Sequence, residues 1–179
     1  MNMANFTSDW FTPHTDGWLK HVVPLLGTMA NVHWLEIGSH EGRSALWTLD
    51  NVLRGPSSDI VCVDIFGPTY EKTFDSNVSG IDRLLKLKGH SHRILPSLPA
   101  RRFHGIYVDG SHDETCVKID LREAWRLSRT GAILIFDDYP CLEYPGVKTA
   151  VDEFLRQIQG KYKLLHKNWQ MIIRKESPP

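Results

Sequence analysis

Neither sign of charge prevails in this chain: 21 lysines and arginines face 21 aspartates and glutamates. A neutral balance argues against a general nucleic-acid binder, whose affinity comes mainly from neutralising phosphates. Cysteine is scarce, with Cys62, Cys116 and Cys141 scattered and no CxxC pair. An odd, sparse set excludes a disulfide framework and points to a reducing compartment. No apolar run approaches the roughly 18 residues that a membrane span needs. The opening MNMANFTSDWF has neither the basic n-region nor the apolar stretch of a secretion signal. Repeats and low-complexity tracts are missing as well. These absences leave a soluble cytoplasmic protein with no membrane and no nucleic-acid partner as the expectation.

What is present fits one ordinary domain: 179 residues, 41% hydrophobic and 23% charged. Segments of two periods alternate. The apolar runs at 32–37, 59–64, 84–88, 105–109 and 132–136 read as strands. Helical spacing covers 43–53, 114–127 and 147–158, with a short helix at 73–78. Thr130-Gly131 is expected to end the helix that begins at Glu114. Residues 162–165 and 169–173 face each other across His-Lys-Asn as a terminal β-hairpin. Strand alternating with helix predicts an α/β fold with a mainly parallel, doubly wound sheet and at least one antiparallel strand from the hairpin.

In such sheets, ligands bind beyond the carboxyl ends of the strands. Four of the five strand ends carry acids: Glu36, Asp64, Asp109 and the pair Asp137-Asp138. Acids are poor strand residues, so their recurrence there asks for a functional reason. The first strand runs into Glu36-Ile-Gly38-Ser39-His40-Glu41-Gly42-Arg43-Ser44. Its two glycines allow a sharp turn and a close approach of backbone to ligand before a helix whose first N–H groups are free. It matches neither the GxxxxGK(S/T) phosphate loop nor the GxGxxG dinucleotide fingerprint, which disfavours a nicotinamide oxidoreductase. Asp64 follows Gly42 by 22 residues and ends the second strand, where an acid can accept both ribose hydroxyls. Turn and acid together indicate a nucleoside-containing ligand.

The segments LEIGSHEGRSALW, IVCVDIF, KLKGHSHRILPSLP, FHGIYVDGSHDETCVKIDLREAW and GAILIFDDY resemble the class I S-adenosylmethionine-dependent methyltransferases. Within them the chain is similar to the small catechol and macrocin O-methyltransferase-like group, from about Trp34 onward. The resemblance implies a Rossmann-like sheet of seven strands. It also implies a division into an N-terminal helical extension and candidate lid at 1–30, the cofactor-binding domain at 31–175, and a loose tail at 176–179. It places S-adenosylmethionine against Glu36, Gly38, Ser39, Gly42 and Ser44 at its methionine end, Asp64 and Ile65 at the ribose, and Gly89 and Ser91 along the adenine. Asp109 lies at the same edge.

The resemblance further implies that Asp109, Asp137 and Asp138 hold a divalent cation. Adjacent parallel strands would bring Asp109 and Asp137 together, and three clustered carboxylates call for protons or a cation. Hard oxygen ligands suit Mg²⁺ or Ca²⁺. His112 stands where the catechol enzymes carry a lysine base, so His112, or Asp109, is the expected proton acceptor. The activity expected is metal-assisted O-methylation of a hydroxylated small molecule, with a homodimer left open. The alternative is a non-catalytic protein on the same fold that binds the nucleoside.

Three further signals are set aside. Tyr144 and Lys148 spell YxxxK, but Pro145-Gly146 between them is expected to prevent the helix that a dehydrogenase pair needs. His90 and His92 have no third ligand placed to join them. Trp34, Trp47 and Trp125 fall in packing patterns, whereas Trp10, Phe11 and Trp18 are candidates for covering the site.

Overall fold

The structure, a computed structural model, describes residues 4–177; the first three residues and the last two of the expected tail lie outside them. In chain order the elements are α1 (Asp16–His21), α2 (Val23–Leu26), β1 (His33–Ile37), α3 (Arg43–Asn51), β2 (Asp59–Asp64), α4 (Glu71–Asn77), β3 (Leu84–Lys88), α5 (Ser91–Ile94), β4 (Phe103–Val108), α6 (Glu114–Leu127), β5 (Ser128–Phe136), α7 (Pro145–Gln157), β6 (Tyr162–Lys167) and β7 (Met171–Lys175). The seven strands form one sheet in the order β3-β2-β1-β4-β5-β7-β6. β3, β2, β1, β4 and β5 are parallel, and β7 pairs antiparallel with both β5 and β6.

The strand sequences explain the layering. Every residue of β4 is buried, as are the four residues inside β2, because helices cover both sheet faces. On one face Leu35, Ile106, Leu134 and Ile173 pack against α6 and α7 through Leu121, Ala124 and Val151. On the other, Trp34, Ile60, Tyr107 and Ile135 meet α1 and α3 through Trp18, Ala45 and Leu49. Successive positions alternate between these two cores, the period-two rule of a strand.

Three expectations are corrected here. α6 stops at Leu127, and Thr130 and Gly131 lie within β5. The carbonyl of Trp125 and that of Ser128 receive the Lys175 ammonium at 2.7 and 2.9 Å, so α6 needs no glycine cap. Pro145 does not forbid a helix either: it opens α7 at the first helical position, where a missing N–H costs nothing. Tyr144 sits just ahead of that helix, and Lys148 pairs with Asp152 one turn on, so the two do not form a dehydrogenase pair. Phe11 and Trp18 do not cover the site; both are buried in the core, while Trp10 is exposed.

Candidate active site

The strand order reverses between β1 and β4, so a crevice opens at their carboxyl ends. Parallel pairing sets Ile37 beside Val108, which puts Gly38 beside Asp109. The Asp109 N–H donates to the Ile37 carbonyl at 2.8 Å, and the Gly38 N–H to that of Val63 at 2.8 Å. Gly38 has φ +87°, and a Cβ there would lie 1.9 Å from the Asp109 carbonyl oxygen, so no other residue fits this crossing of the chain.

Glu36 is buried next to this turn. Ser44, at the start of α3, donates to Glu36 Oε1 at 3.0 Å. Glu36 Oε2 and the Ser39 hydroxyl are buried without a partner among the described residues. Burial pushes the Glu36 carboxyl up to about 8, against the effect of the Ser44 hydrogen bond, with Asp64 adding to the rise. An orphaned acid oxygen beside an orphaned hydroxyl fits the ammonium end of an amino-acid-bearing ligand. Asp64 braces the same loop: its Oδ2 accepts the N–H groups of Ser39 and His40 at 2.8 and 2.9 Å, and its Oδ1 that of Phe66 at 2.7 Å. Oδ1 keeps acceptor capacity for a hydroxyl. Ile65 follows with an exposed side chain. The Gly89 N–H binds the Asp64 carbonyl at 2.8 Å, which brings the end of β3 and Ser91, the first residue of α5, to the same edge. Gly42, at φ +84°, leads into α3. The residues expected to bind the cofactor therefore line one continuous edge.

The N-terminal residues reach this edge. Thr7 donates to Glu41 through its N–H at 2.7 Å and its hydroxyl at 2.8 Å. Arg43 donates to the Ser8 carbonyl at 3.1 Å.

On the other side of Gly38 the acids converge. The Tyr107 hydroxyl lies 3.1 Å from Asp109 Oδ2 and also bonds Asp137 Oδ2. One phenolic proton cannot serve both carboxylates, so a carboxyl proton or a cation must complete the set. Burial, with the carboxylates of Asp137 and Asp138, pushes Asp109 well above the ordinary range. Burial also raises Asp137. Asp138, at φ +54°, turns its carboxylate toward His112, whose Nε2 lies 2.9 Å from Asp138 Oδ2. Atoms of Asp109, His112 and Asp138 come within 4.8 Å of one another, close enough to share a cation. Asp137 stands behind them: its Oδ1 accepts the Asp138 N–H at 2.8 Å, and its Oδ2 accepts the Gln170 amide at 2.9 Å.

Two residues that bond the clustered acids escape the sequence reading, Tyr107 and Gln170. Tyr107 carries a signal in hindsight, since it precedes Asp109 by two and so shares its sheet face. Gln170 carries none, because only the antiparallel return of β7 brings it to Asp137.

A family model described as "Methyltransferase domain" matches residues 35–139. Among curated protein sequences, none matches the chain. Solved structures share the fold. An O-methyltransferase from Bacillus cereus in complex with S-adenosylhomocysteine is 19% identical, at TM-score 0.66 over 93% of this chain and 82% of that one. The O-methyltransferase TomG from Streptomyces achromogenes, bound to S-adenosylmethionine, is 19% identical at TM-score 0.66 over 90% and 79%. A Corynebacterium glutamicum protein is 15% identical at TM-score 0.73 over 93% and 82%. With the matched span running from β1 through the acids that follow β5, the chain belongs to the methyltransferase domain family and is a class I S-adenosylmethionine-dependent methyltransferase.

Proposed function

We propose that this methyltransferase moves the methyl group of S-adenosylmethionine to an oxygen of a hydroxylated small molecule with the help of a divalent cation. The carrying observation is the convergence of Asp109, His112 and Asp138 directly across Gly38 from the Glu36 and Asp64 edge. Glu36 and Ser39 suit the cofactor's ammonium, and Asp64 its ribose. The sulfonium is already electrophilic, so the protein's task is to align the acceptor and remove its proton. His112 is half-buried, is oriented by Asp138 and stacks on Tyr144 at 3.9 Å, which suits a general base. Asp109 is the other group placed to take that proton. Asp109 and Asp138 are the residues that would hold a cation, with Asp137, expected from sequence as a third ligand, bracing Asp138 from behind; the cation would supply Lewis-acid lowering of the acceptor hydroxyl's pKa. All-oxygen acids favour Mg²⁺.

No helix among the described residues is long and apolar enough to cross a membrane. Free Cys62, Cys116 and Cys141 support a reducing, cytoplasmic setting, and zero net charge supports a small acceptor over nucleic acid.

The test is methyl transfer from labelled S-adenosylmethionine to a panel of phenols, sugars and other hydroxylated metabolites, with Mg²⁺ or with EDTA. Transfer to oxygen that EDTA abolishes supports the reading. Transfer that is unchanged in EDTA removes the cation and leaves proton removal to His112 and Asp109. Transfer only to nitrogen or carbon acceptors overturns O-methylation.

A further inference from the structure

We infer that Gln170 is a positioning residue for the acidic cluster and that Trp18 sets its orientation, so that α1 is coupled to the residues that would hold the cation. The inference rests on the cation-assisted reading above. The Trp18 indole N–H donates to Gln170 Oε1 at 2.8 Å, and Gln170 Nε2 donates to Asp137 Oδ2 at 2.9 Å. All three side chains are buried, at 0%, 2% and 7% exposure. A primary amide can present either end, and its two faces differ only in which end donates. An indole can only donate, so Trp18 forces the Gln170 oxygen toward itself and the NH₂ toward Asp137. With the amide reversed, a carbonyl oxygen would face a buried carboxylate.

The chain paths make this juxtaposition specific. β5 and β7 pair Phe136 with Met171, so Asp137 and Gln170 are the next residues outward from that pair. The Tyr139 N–H donates to the Trp169 carbonyl at 3.0 Å and holds the two strand ends together. α1 arrives from the far end of the sequence and docks closely, because a Cβ at Gly17 would lie 2.8 Å from Ile172 and 2.9 Å from His166. Trp18 then meets Tyr107 edge to face at 5.0 Å, so it supports both groups that bond Asp137 Oδ2.

The consequence reaches Asp138. With Oδ2 held by Gln170 and Tyr107, Asp137 offers Oδ1 to the Asp138 N–H at 2.8 Å. That bond supports a non-glycine residue in the left-handed region, φ +54°, whose carboxylate faces Asp109 and His112. Without Gln170, Tyr107 alone holds Asp137 Oδ2, and the Oδ1 contact that fixes the aim of Asp138 is loosened.

The experiment uses the full chain and Mn²⁺ as an EPR-active probe, with free Mn²⁺ titrated against wild type, Gln170→Leu, Trp18→Phe and the double variant. Calorimetry with S-adenosylhomocysteine and a thermal melt accompany each protein. Loss of an outer-shell partner costs about tenfold to a hundredfold in metal affinity. Gln170→Leu is expected to weaken Mn²⁺ by that factor, with S-adenosylhomocysteine affinity unchanged. Trp18→Phe keeps an aromatic ring in the core and is expected to weaken Mn²⁺ less. The double variant should be no weaker than Gln170→Leu alone, because the two residues act through one bond chain. Unchanged Mn²⁺ affinity in either folded single variant, or losses that simply add, overturns the inference while the cation reading stands. If Gln170→Leu does not fold, Trp18→Phe decides alone. Wild-type protein that binds no Mn²⁺ overturns both this inference and the cation reading.

Discussion

His112 Nε2 and Asp138 Oδ2 lie 2.9 Å apart, which joins the loop after β4 to the residue that turns away from β5. The Tyr144 ring, from the start of α7, stacks on the same imidazole with planes 24° apart. His112 is therefore oriented by two elements besides its own. His112→Ala is expected to lower kcat by roughly 10²–10⁴-fold, the usual worth of a positioned base. Tyr144→Ala should cost less, and Tyr144→Phe, which keeps the ring, least. Initial rates at saturating acceptor check the order. Equal rates in wild type and His112→Ala would hand proton removal to Asp109.

Asp64 should matter to the cofactor twice, as ribose acceptor and as the brace under Ser39 and His40. Hydrogen bonds to a charged acceptor are worth about 1.5–3 kcal/mol each. Asp64→Ala is expected to weaken S-adenosylhomocysteine by at least one such bond in calorimetry. Equal affinity would count against the assignment.

Cofactor affinity should depend on pH through Glu36. In the unliganded protein this carboxyl holds its proton up to about pH 8, because burial disfavours its charge. An ammonium group favours the ionised form, so binding releases that proton. Affinity for S-adenosylhomocysteine is then expected to rise between pH 6 and 8 by up to about tenfold per unit. Glu36→Gln should bind more weakly and flatten the slope. Calorimetry in buffers of different ionisation enthalpy would count the released proton; none released sinks the idea.

Asp120 makes a stability test on a group outside the residues proposed to hold cofactor or cation. It lies on the buried face of α6, and Oδ1 lacks a partner among the described residues. Burial raises its pKa to about 6 from 3.8, against the pull of Ser91. Between those values the folded state binds the extra proton, so stability falls as pH rises through the window and stays lower above it. Asp120→Asn removes the charge with little change of shape. Its advantage over wild type should be small at pH 4 and grow toward pH 7.5, to at most about 3 kcal/mol. Urea unfolding at the two pH values measures it; a pH-independent difference would show that Asp120 is not the titrating group.

Much of this protein was legible in the chain itself. Period and composition predicted the five parallel strands, the terminal hairpin and the long helices; burial on both faces leaves an unbroken apolar run such as Ala132–Phe136. Acids closing those runs marked the functional edge, since a charge at the end of a buried strand needs a partner. The helix start at Pro145 was misread because proline's effect depends on its position in the helix, which local sequence does not state. The residues of the first strand's loop could be placed together because they lie within a single turn. What the tertiary structure decided are the relations across the chain. Asp137 and Asp138 are neighbours in sequence with the same side chain, yet one is bound back by Gln170 and Tyr107 and the other turns out to His112. Nothing local separates them, because the difference comes from a strand that returns antiparallel and a helix 152 residues from Gln170. Glu36 likewise reads as one more acid in sequence, and only its complete burial raises its pKa and leaves an oxygen without a partner among the described residues. Chemistry carried by one turn of backbone can be read from residue types. Chemistry that depends on which groups share a dry space is settled only when the sheet closes around it.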